Sequence, residues 1–202
     1  TGIKCTARRR STTSPKVHAA VAEPLARSFA PLLPPGTPSP SSAADPAAPS
    51  PSSARILVLG SMPGRASLDA QQYYAHPRNA FWPIVAAYCG VDPASDYPTR
   101  VQALLDAGIV LWDVLAQCRR PGSLDSAIKL ADAQPNAIAE LLDAHPAIKR
   151  VCCNGAAAAQ LYRRFGLPGP PRVEVIALPS TSPAHAGMSF AEKQRRWHAA
   201  LR

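Results

Sequence analysis

From Arg55 to the carboxyl terminus, short continuous apolar runs alternate with longer segments whose apolar residues recur at helical spacing. Because the runs do not alternate with polar residues, they are typical of strands buried on both faces. The predicted strands cover residues 55–60, 108–114, 149–155 and 172–180. Helices are predicted at "RNAFWPIVAAYC", "TRVQALLDAG", "QPNAIAELLDAH", "AAAAQLYRRFG" and "FAEKQRRWHAALR". This alternation predicts an α/β fold, a three-layer α/β/α sandwich around a mainly parallel four-stranded sheet.

The first 54 residues have a different composition. Residues 1–27 mix a run of arginines with serine and threonine, and residues 34–54 are a low-complexity stretch of proline, serine and alanine. Such segments cannot bury enough apolar surface to order themselves. We therefore expect residues 1–54 to be a disordered basic tail and linker, and residues 55–202 to form one domain. The segment "SFAPLLPP" between the two stretches is apolar enough to dock on that domain as a short extended arm.

Composition favours a nucleic-acid partner and gives no sign of a metal, a cofactor or a membrane. The formal net charge is +9, and a basic domain concentrates polyanions near its surface, although the same charge also fits mere solubility. The five cysteines include no C-x-x-C pair, so zinc and iron–sulfur spacings are missing. No apolar run approaches the ~18 residues that span a bilayer. Free cysteines suit a reducing cytoplasm, and the alanine- and arginine-rich composition indicates a bacterial source, where the protein would be associated with the nucleoid.

The candidate chemistry lies where the predicted strands end. In a parallel sheet the ligand crevice forms outside the carboxyl ends of the strands, and "GSMPG", "WDVLAQCRRPGSLD", "NG" and "LPSTSPAHA" all fall there. "GSMPG" matches neither the dinucleotide fingerprint nor the P-loop. Its serine, Ser61, is also not the central serine of a G-x-S-x-G nucleophile turn. These three common functions of a glycine-rich turn are therefore not predicted.

"GSMPG", followed by "YYAHPRNAFW", resembles motif 1 of the uracil-DNA glycosylase superfamily, and "LPSTSPAHA" resembles its second motif, the DNA-intercalating loop. Over residues 55–202 the chain most resembles the hypoxanthine-DNA glycosylase branch. The resemblance implies a monomeric, monofunctional enzyme that needs no cofactor or metal. It would flip a deaminated base out of double- or single-stranded DNA and hydrolyse deoxyinosine to release hypoxanthine. The alternatives are a broader glycosylase acting on uracil or xanthine, and a DNA-binding module without chemistry.

Two departures from the superfamily pattern favour a purine over uracil. Other branches place a carboxylate or an amide in the motif 1 turn to orient the attacking water, whereas this turn offers Ser61 and Met62. Leu178 stands where the best-known branch has a histidine that polarises uracil. In the branch that the chain most resembles, the asparagine of the H-P-x-N segment is implicated instead. The resemblance therefore assigns the catalytic role to Asn79, which is also a favoured residue type for capping the helix that follows.

The same resemblance gives a base pocket and a DNA-binding surface. We expect Tyr74 to stack on the flipped base, a contact worth ~1–3 kcal/mol, and Gly64 to leave room for a purine. Ser123 is expected to close the far wall by capping a helix, and Arg119 and Arg120 to lie in a solvated basic loop. The predicted base pocket consists of Gly60, Ser61, Met62, Pro63, Gly64, Tyr74, His76 and Asn154. The predicted DNA contacts are Arg78, Ser180, Thr181 and Ser182.

Overall fold

The computed structural model describes residues 25–35, 37, 54–169 and 171–202. A short 3₁₀ turn lies at Asp125–Ala127. The helices and strands of the described residues are, in order, β1 (Leu25–Arg27), β2 (Ile56–Gly60), α1 (Arg65–Ala70), α2 (Phe81–Cys89), α3 (Tyr97–Asp106), β3 (Ile109–Asp113), β4 (Leu115–Arg119), β5 (Lys129–Pro135), α4 (Ile138–Ala144), β6 (Arg150–Asn154), α5 (Ala156–Arg164), β7 (Glu174–Leu178) and α6 (Phe190–Leu201). Every strand and helix predicted from the apolar pattern is present.

The central sheet is parallel, with the strand order β3-β2-β6-β7. Helix α3 packs against β3, α5 against β6 and β7, and α6 against β7. Every residue of β2 and β3 is buried, as expected of strands covered on both faces. The predicted α/β sandwich around a parallel four-stranded sheet is confirmed.

The register brings the ends of the strands to one edge of the sheet. Gly60 pairs with Asp113, and Asn154 pairs with Leu178. Each of these residues is the last of its strand, so the loops that follow all leave from the same side. This edge is where the sequence places its candidate chemistry.

A second, antiparallel sheet with the order β1-β4-β5 lies beside the first and is not predicted from the sequence. Its strand β5 reads "KLADAQP" and is mostly exposed, so it lacks the alternation of apolar and polar residues that identifies a half-buried strand. Strand β4 and the short helix α1 also follow no clear apolar period. Backbone pairing, rather than burial of one face, defines this sheet.

Residues 25–35 lie against the domain, which corrects the expected boundary of the disordered tail. Strand β1 pairs with β4, and the indole N–H of Trp112 donates to the carbonyl oxygen of Phe29 at 2.9 Å. Leu32 forms a backbone bridge with Leu111 that covers part of the edge of β3. The apolar side chains of Ala26, Phe29, Leu32 and Leu33 pack against the hydrophobic core. Apart from Thr37 and Ala54, the rest of the predicted tail and linker falls outside the described residues.

The described residues contain no helix that is long and apolar enough to cross a membrane. The longest of them, α6, has 12 residues, whereas a membrane-spanning helix needs roughly 20 apolar ones. In the same part of the chain, no group of three or more His, Cys, Asp or Glu side chains is placed to hold a metal ion.

Candidate active site

A cavity of about 280 Å³ opens at the carboxyl edge of the central sheet. Its walls come from the turn after β2, the ends of β3 and β6, and the loop after β7. The cavity is lined by Asn79 and by every residue of the predicted base pocket: Gly60, Ser61, Met62, Pro63, Gly64, Tyr74, His76 and Asn154. It also reaches Ser180, Thr181 and Ser182, whereas the exposed Arg78 does not line it.

The turn after β2 is held in place by Arg120. The side chain of Arg120 is only 2% exposed. It donates from Nη1 to the carbonyl oxygen of Met62 at 3.4 Å and from Nη2 to that of Pro63. The prediction of a solvated loop is therefore wrong for Arg120. Carbonyl groups in a buried turn need donors, and a planar guanidinium supplies several in a fixed geometry.

A carboxylate is bound to this turn, although the turn itself contains none. The hydroxyl of Ser61 donates to Oδ1 of Asp125 at 2.6 Å, and Nη1 of Arg120 lies 3.5 Å from the same oxygen. Asp125 lines the cavity, and 39% of its side chain is exposed. Ser123 also lines the cavity, but the prediction that it caps a helix starting at its own position is wrong. Its hydroxyl oxygen accepts instead from the N–H of Arg65, the first residue of α1, at 2.9 Å. No role of Asp125 is predicted from the sequence, where its only signal is the short polar motif "GSLD".

Gly60 is required where it stands because two polar side chains approach it closely. A Cβ at this position would overlap Oδ1 of Asp113 and lie 3.1 Å from the hydroxyl of Tyr74. Burial raises the pKa of Asp113 to about 7, although a hydrogen bond from Ser28 acts in the opposite direction. The hydroxyl of Tyr74 is buried and has no hydrogen-bond partner among the described residues, and burial raises its pKa as well.

Tyr74 is positioned by an aromatic neighbour and by an uncommon backbone conformation. Its ring stacks on Phe81, with the ring centroids 4.0 Å apart and the planes inclined by 27°. Its φ of 54° is in the left-handed region, which non-glycine residues adopt rarely and at a cost. Since one face of the ring is covered by Phe81, a flipped base that stacks on Tyr74 has to use the opposite face.

Asn79 is fixed by the start of α2. Its Oδ1 accepts from the backbone N–H of Phe81 at 2.9 Å, so the capping contact expected from the sequence is present. A backbone N–H can only donate, which identifies the accepting atom as Oδ1 and leaves Nδ2 for a ligand. The preceding turn is closed by His76, whose carbonyl oxygen accepts from the N–H of Asn79 at 2.8 Å and whose Nδ1 accepts from that of Arg78 at 3.1 Å.

The side chain of Asn154 binds the loop that follows β7 through two hydrogen bonds. Its Nδ2 donates to Oγ1 of Thr181 at 2.8 Å, and its Oδ1 accepts from the backbone N–H of Thr181 at 2.9 Å. Thr181 is 1% exposed. In this structure Thr181 is buried and holds the loop through its N–H and its hydroxyl oxygen, so its contact with a DNA phosphate stays a prediction. The close fit continues at Gly155, where a Cβ would lie 2.9 Å from that of Ser180.

Ser180 and Ser182 remain able to donate. The hydroxyl oxygen of Ser180 accepts from the backbone N–H of Ser182 at 3.2 Å, and that of Ser182 accepts from the N–H of Ala184 at 3.3 Å. Both contacts use an oxygen lone pair and leave the O–H free, as a phosphate contact requires. Leu178, which precedes this loop, is buried with 6% exposure.

The family model of the uracil DNA glycosylase superfamily matches residues 47–201 of the chain. The chain belongs to the uracil DNA glycosylase superfamily. Membership predicted from the motifs is thus confirmed. The superfamily match begins after residues 25–35, so the arm that lies against this domain is outside it.

Two similar proteins carry the name hypoxanthine DNA glycosylase. A "Hypoxanthine DNA glycosylase" of Methanosarcina barkeri (strain Fusaro / DSM 804) is 42% identical over 101 residues, which are 50% of this chain and 63% of that protein. A second protein of this name, from Methanosarcina acetivorans, is 34% identical over 151 residues, or 73% of this chain and 90% of its own length. Both organisms are archaea, so they lend no support to the expected bacterial source.

A solved structure shares the fold. The solution NMR structure of a candidate uracil DNA glycosylase from Methanosarcina acetivorans aligns with a TM-score of 0.66 at 29% identity. The alignment covers 88% of this chain and 97% of that one. Together with the superfamily match, this likeness shows that the parallel sheet and its carboxyl-edge cavity are set in the fold of a DNA glycosylase.

Proposed function

We propose that this chain is a monofunctional DNA-deoxyinosine glycosylase that excises hypoxanthine from DNA and begins base excision repair. The observation that carries the proposal is the cavity at the sheet edge, where the motif 1 turn, Tyr74 and Asn79 meet in one site. The two relatives named as hypoxanthine DNA glycosylases support this choice of base. Because its substrate would be DNA, the protein would act at the nucleoid. We expect it to act as a monomer, because the residues of the proposed site all come from one chain.

The residues of the cavity suit hydrolysis of a glycosidic bond. A base has to leave the stack before this bond can be reached, which costs a few kcal/mol, and stacking on the face of Tyr74 opposite Phe81 would offset that cost. As the bond breaks, the sugar gains positive charge and the departing base gains negative charge. Nδ2 of Asn79 is a donor that can hold the attacking water or stabilise the departing base. No lysine is among the described residues that line the cavity, which favours hydrolysis over a lyase reaction.

DNA would be held at the rim of the cavity. The free O–H groups of Ser180 and Ser182 can donate to phosphate oxygens, and the exposed Arg78 adds a positive charge in the loop before α2. Hydroxyl and guanidinium contacts of this kind fix the position of the strand without reading its sequence. The proposed substrate is therefore hypoxanthine in any sequence context, in double- or single-stranded DNA.

The test is single-turnover cleavage of DNA carrying hypoxanthine, uracil, xanthine or 8-oxoguanine, in double- and single-stranded form, followed by alkali to break abasic sites. We expect hypoxanthine to be excised fastest. Comparable excision of uracil would favour a broader glycosylase, the alternative that the uracil-named structural neighbour supports. DNA binding without any excision would contradict the proposal and leave a non-catalytic binding module.

A further inference from the structure

The carboxylate of Asp125 has one oxygen engaged and one free. Ser61 donates to Oδ1 at 2.6 Å, and Arg120 lies 3.5 Å from that same oxygen. Oδ2 receives no hydrogen bond from the described part of the chain, and Asp125 lines the cavity. The side chain is thus held by one oxygen while the other is available to a bound base.

Asp113 is the other carboxylic acid in the lining of the cavity, and it is differently placed. Only 3% of Asp113 is exposed, its Oδ2 accepts from the hydroxyl of Ser28 at 2.7 Å, and its Oδ1 lies against Gly60. Asn79 offers Nδ2, which only donates, once Oδ1 has accepted from the backbone of Phe81. Of these groups, Asp125 is the one placed to act purely as an acceptor.

A hypoxanthine glycosylase has to reject adenine, which is present in DNA in large excess. The two bases differ at two neighbouring positions. Hypoxanthine carries an oxygen at C6 and a hydrogen on N1, whereas adenine carries an amino group at C6 and a lone pair on N1. An ionised carboxylate accepts hydrogen bonds and cannot donate, so it attracts the N1–H of hypoxanthine and repels the N1 lone pair of adenine. A site built around such a contact penalises a base that cannot make it.

We infer that Oδ2 of Asp125 accepts the N1–H of the flipped hypoxanthine and so discriminates against adenine. The inference rests on the proposed function and names a residue that determines its specificity. Ser61 and Arg120 act as positioning residues, because they hold Oδ1 and thereby direct Oδ2. Guanine also carries an N1–H, so its rejection has to come from other parts of the cavity.

The substitution Asp125→Asn tests this geometry. Because Ser61 and Arg120 direct donors at Oδ1, the asparagine keeps its carbonyl oxygen there and places its NH₂ group where Oδ2 stands. A donor then faces the N1–H of hypoxanthine but matches a base with a lone pair on N1. Unsubstituted purine is such a base. The single-turnover rate on hypoxanthine should fall by about 10- to 100-fold, the scale of one hydrogen bond to a charged group. The rate on purine should change by less than about threefold, or rise.

The matched control is Asp132→Asn, which neutralises an exposed carboxylate on β5 that pairs with Arg119 at 3.5 Å and does not line the cavity. It should leave both rates unchanged. Thermal melts accompany each variant. If Asp125→Asn does not fold, Ser61→Ala decides the question. It keeps the carboxylate but removes a donor that orients it, and should lower the hypoxanthine rate selectively by a smaller factor.

The outcomes separate this inference from the proposed function. If the wild-type protein does not excise hypoxanthine, the proposed function is wrong. If the wild type excises it but a folded Asp125→Asn variant loses activity equally on hypoxanthine and purine, only the inference is overturned, and Asp125 acts on the water or the sugar. An unchanged hypoxanthine rate overturns it as well. For Ser61→Ala, a selective loss supports the inference, and equal changes or none overturn it.

Discussion

The hydroxyl of Ser28 donates to Oδ2 of Asp113 at 2.7 Å, although the two residues are 85 positions apart in the chain. Ser28 lies in the amino-terminal arm, and Asp113 lies at the end of β3, where it lines the cavity. The arm makes a second contact nearby, because the carbonyl oxygen of Ala30 accepts from the hydroxyl of Tyr73 at 3.3 Å. A segment that precedes the superfamily match thus supports the floor of the candidate active site.

Deletion of the arm is expected to damage the protein, whereas deletion of the residues before it is not. Removing residues 1–50 takes away β1, the contact of Ser28 with Asp113 and the burial of Phe29 and Leu32. Loss of two partly buried apolar side chains alone predicts a decrease of roughly 2–5 kcal/mol in the free energy of unfolding. Urea unfolding and single-turnover excision should both show the loss.

The control for that experiment is removal of residues 1–24, which leaves β1 and Ser28 in place. This shorter deletion should keep the stability and the excision rate of the full chain. If the protein lacking residues 1–50 is as stable and as active as the one lacking residues 1–24, the arm does not support the site.

Asp113 should make stability depend on pH. Its folded-state pKa is raised to about 7 from an ordinary value of 3.8, so the folded state favours the protonated form. Its contribution is therefore fully present below about pH 4 and is lost as the pH rises towards 7. Asp113→Asn stays neutral, so its stability relative to wild type should increase between pH 4 and 7 by about 4 kcal/mol and then level off.

Chemical unfolding at a series of pH values measures this difference. Asp106→Asn serves as the control because Asp106 is exposed, and it should show no comparable increase. A constant difference between Asp113→Asn and wild type across this pH range would mean that Asp113 ionises normally in the folded protein.

The sequence predicts the central sheet because continuous apolar runs have few alternatives to a buried strand. It also predicts where the site lies, since the carboxyl ends of parallel strands share one edge. The second sheet cannot be predicted in this way because β5 is mostly exposed and has no apolar period. The contacts of the arm cannot be predicted either, because a short apolar segment between two low-complexity stretches has too little pattern to show where it docks.

The polar contacts of the site are harder to predict than its location. Arg120 looks like a surface residue in sequence, and its burial depends on the carbonyl groups that a distant turn presents to it. Thr181 looks like a surface residue in sequence, but it is buried and its oxygen and N–H bind the side chain of Asn154. Such pairings join residues far apart in the chain, and a single sequence carries no signal of which donor meets which acceptor.

Arg120 should contribute to stability far more than its neighbour Arg119. Arg120→Ala leaves buried carbonyl oxygens of Met62 and Pro63 without a donor, which predicts a loss of about 2–4 kcal/mol in the free energy of unfolding. Arg120→Lys should recover part of it, because an ammonium group cannot reproduce the planar fork. Arg119→Ala should cost less than about 1 kcal/mol, since Arg119 is 38% exposed in its pair with Asp132. Equal losses at the two positions, measured by urea unfolding, would contradict the structural role given to Arg120.

Asn79 is expected to serve both the helix and the chemistry, and two substitutions separate these roles. Asn79→Asp keeps an oxygen for the N–H of Phe81 but replaces the Nδ2 donor, whereas Asn79→Ala loses both. Stability should therefore fall by about 1 kcal/mol in the alanine variant and much less in the aspartate variant. Excision of hypoxanthine should fall by ~10²-fold or more in both, the scale of losing one positioned donor.

Met62→Leu is the control for Asn79, because it changes a neighbouring residue of the cavity lining to another apolar side chain of similar volume and removes no donor. It should excise hypoxanthine at nearly the wild-type rate in single-turnover assays with saturating enzyme. If Asn79→Asp is folded and also cuts at the wild-type rate, Nδ2 takes no part in the reaction. Asn79 would then be only the residue that caps α2, and the water would have to be held by another group of the motif 1 turn or by the carboxylate bound to it.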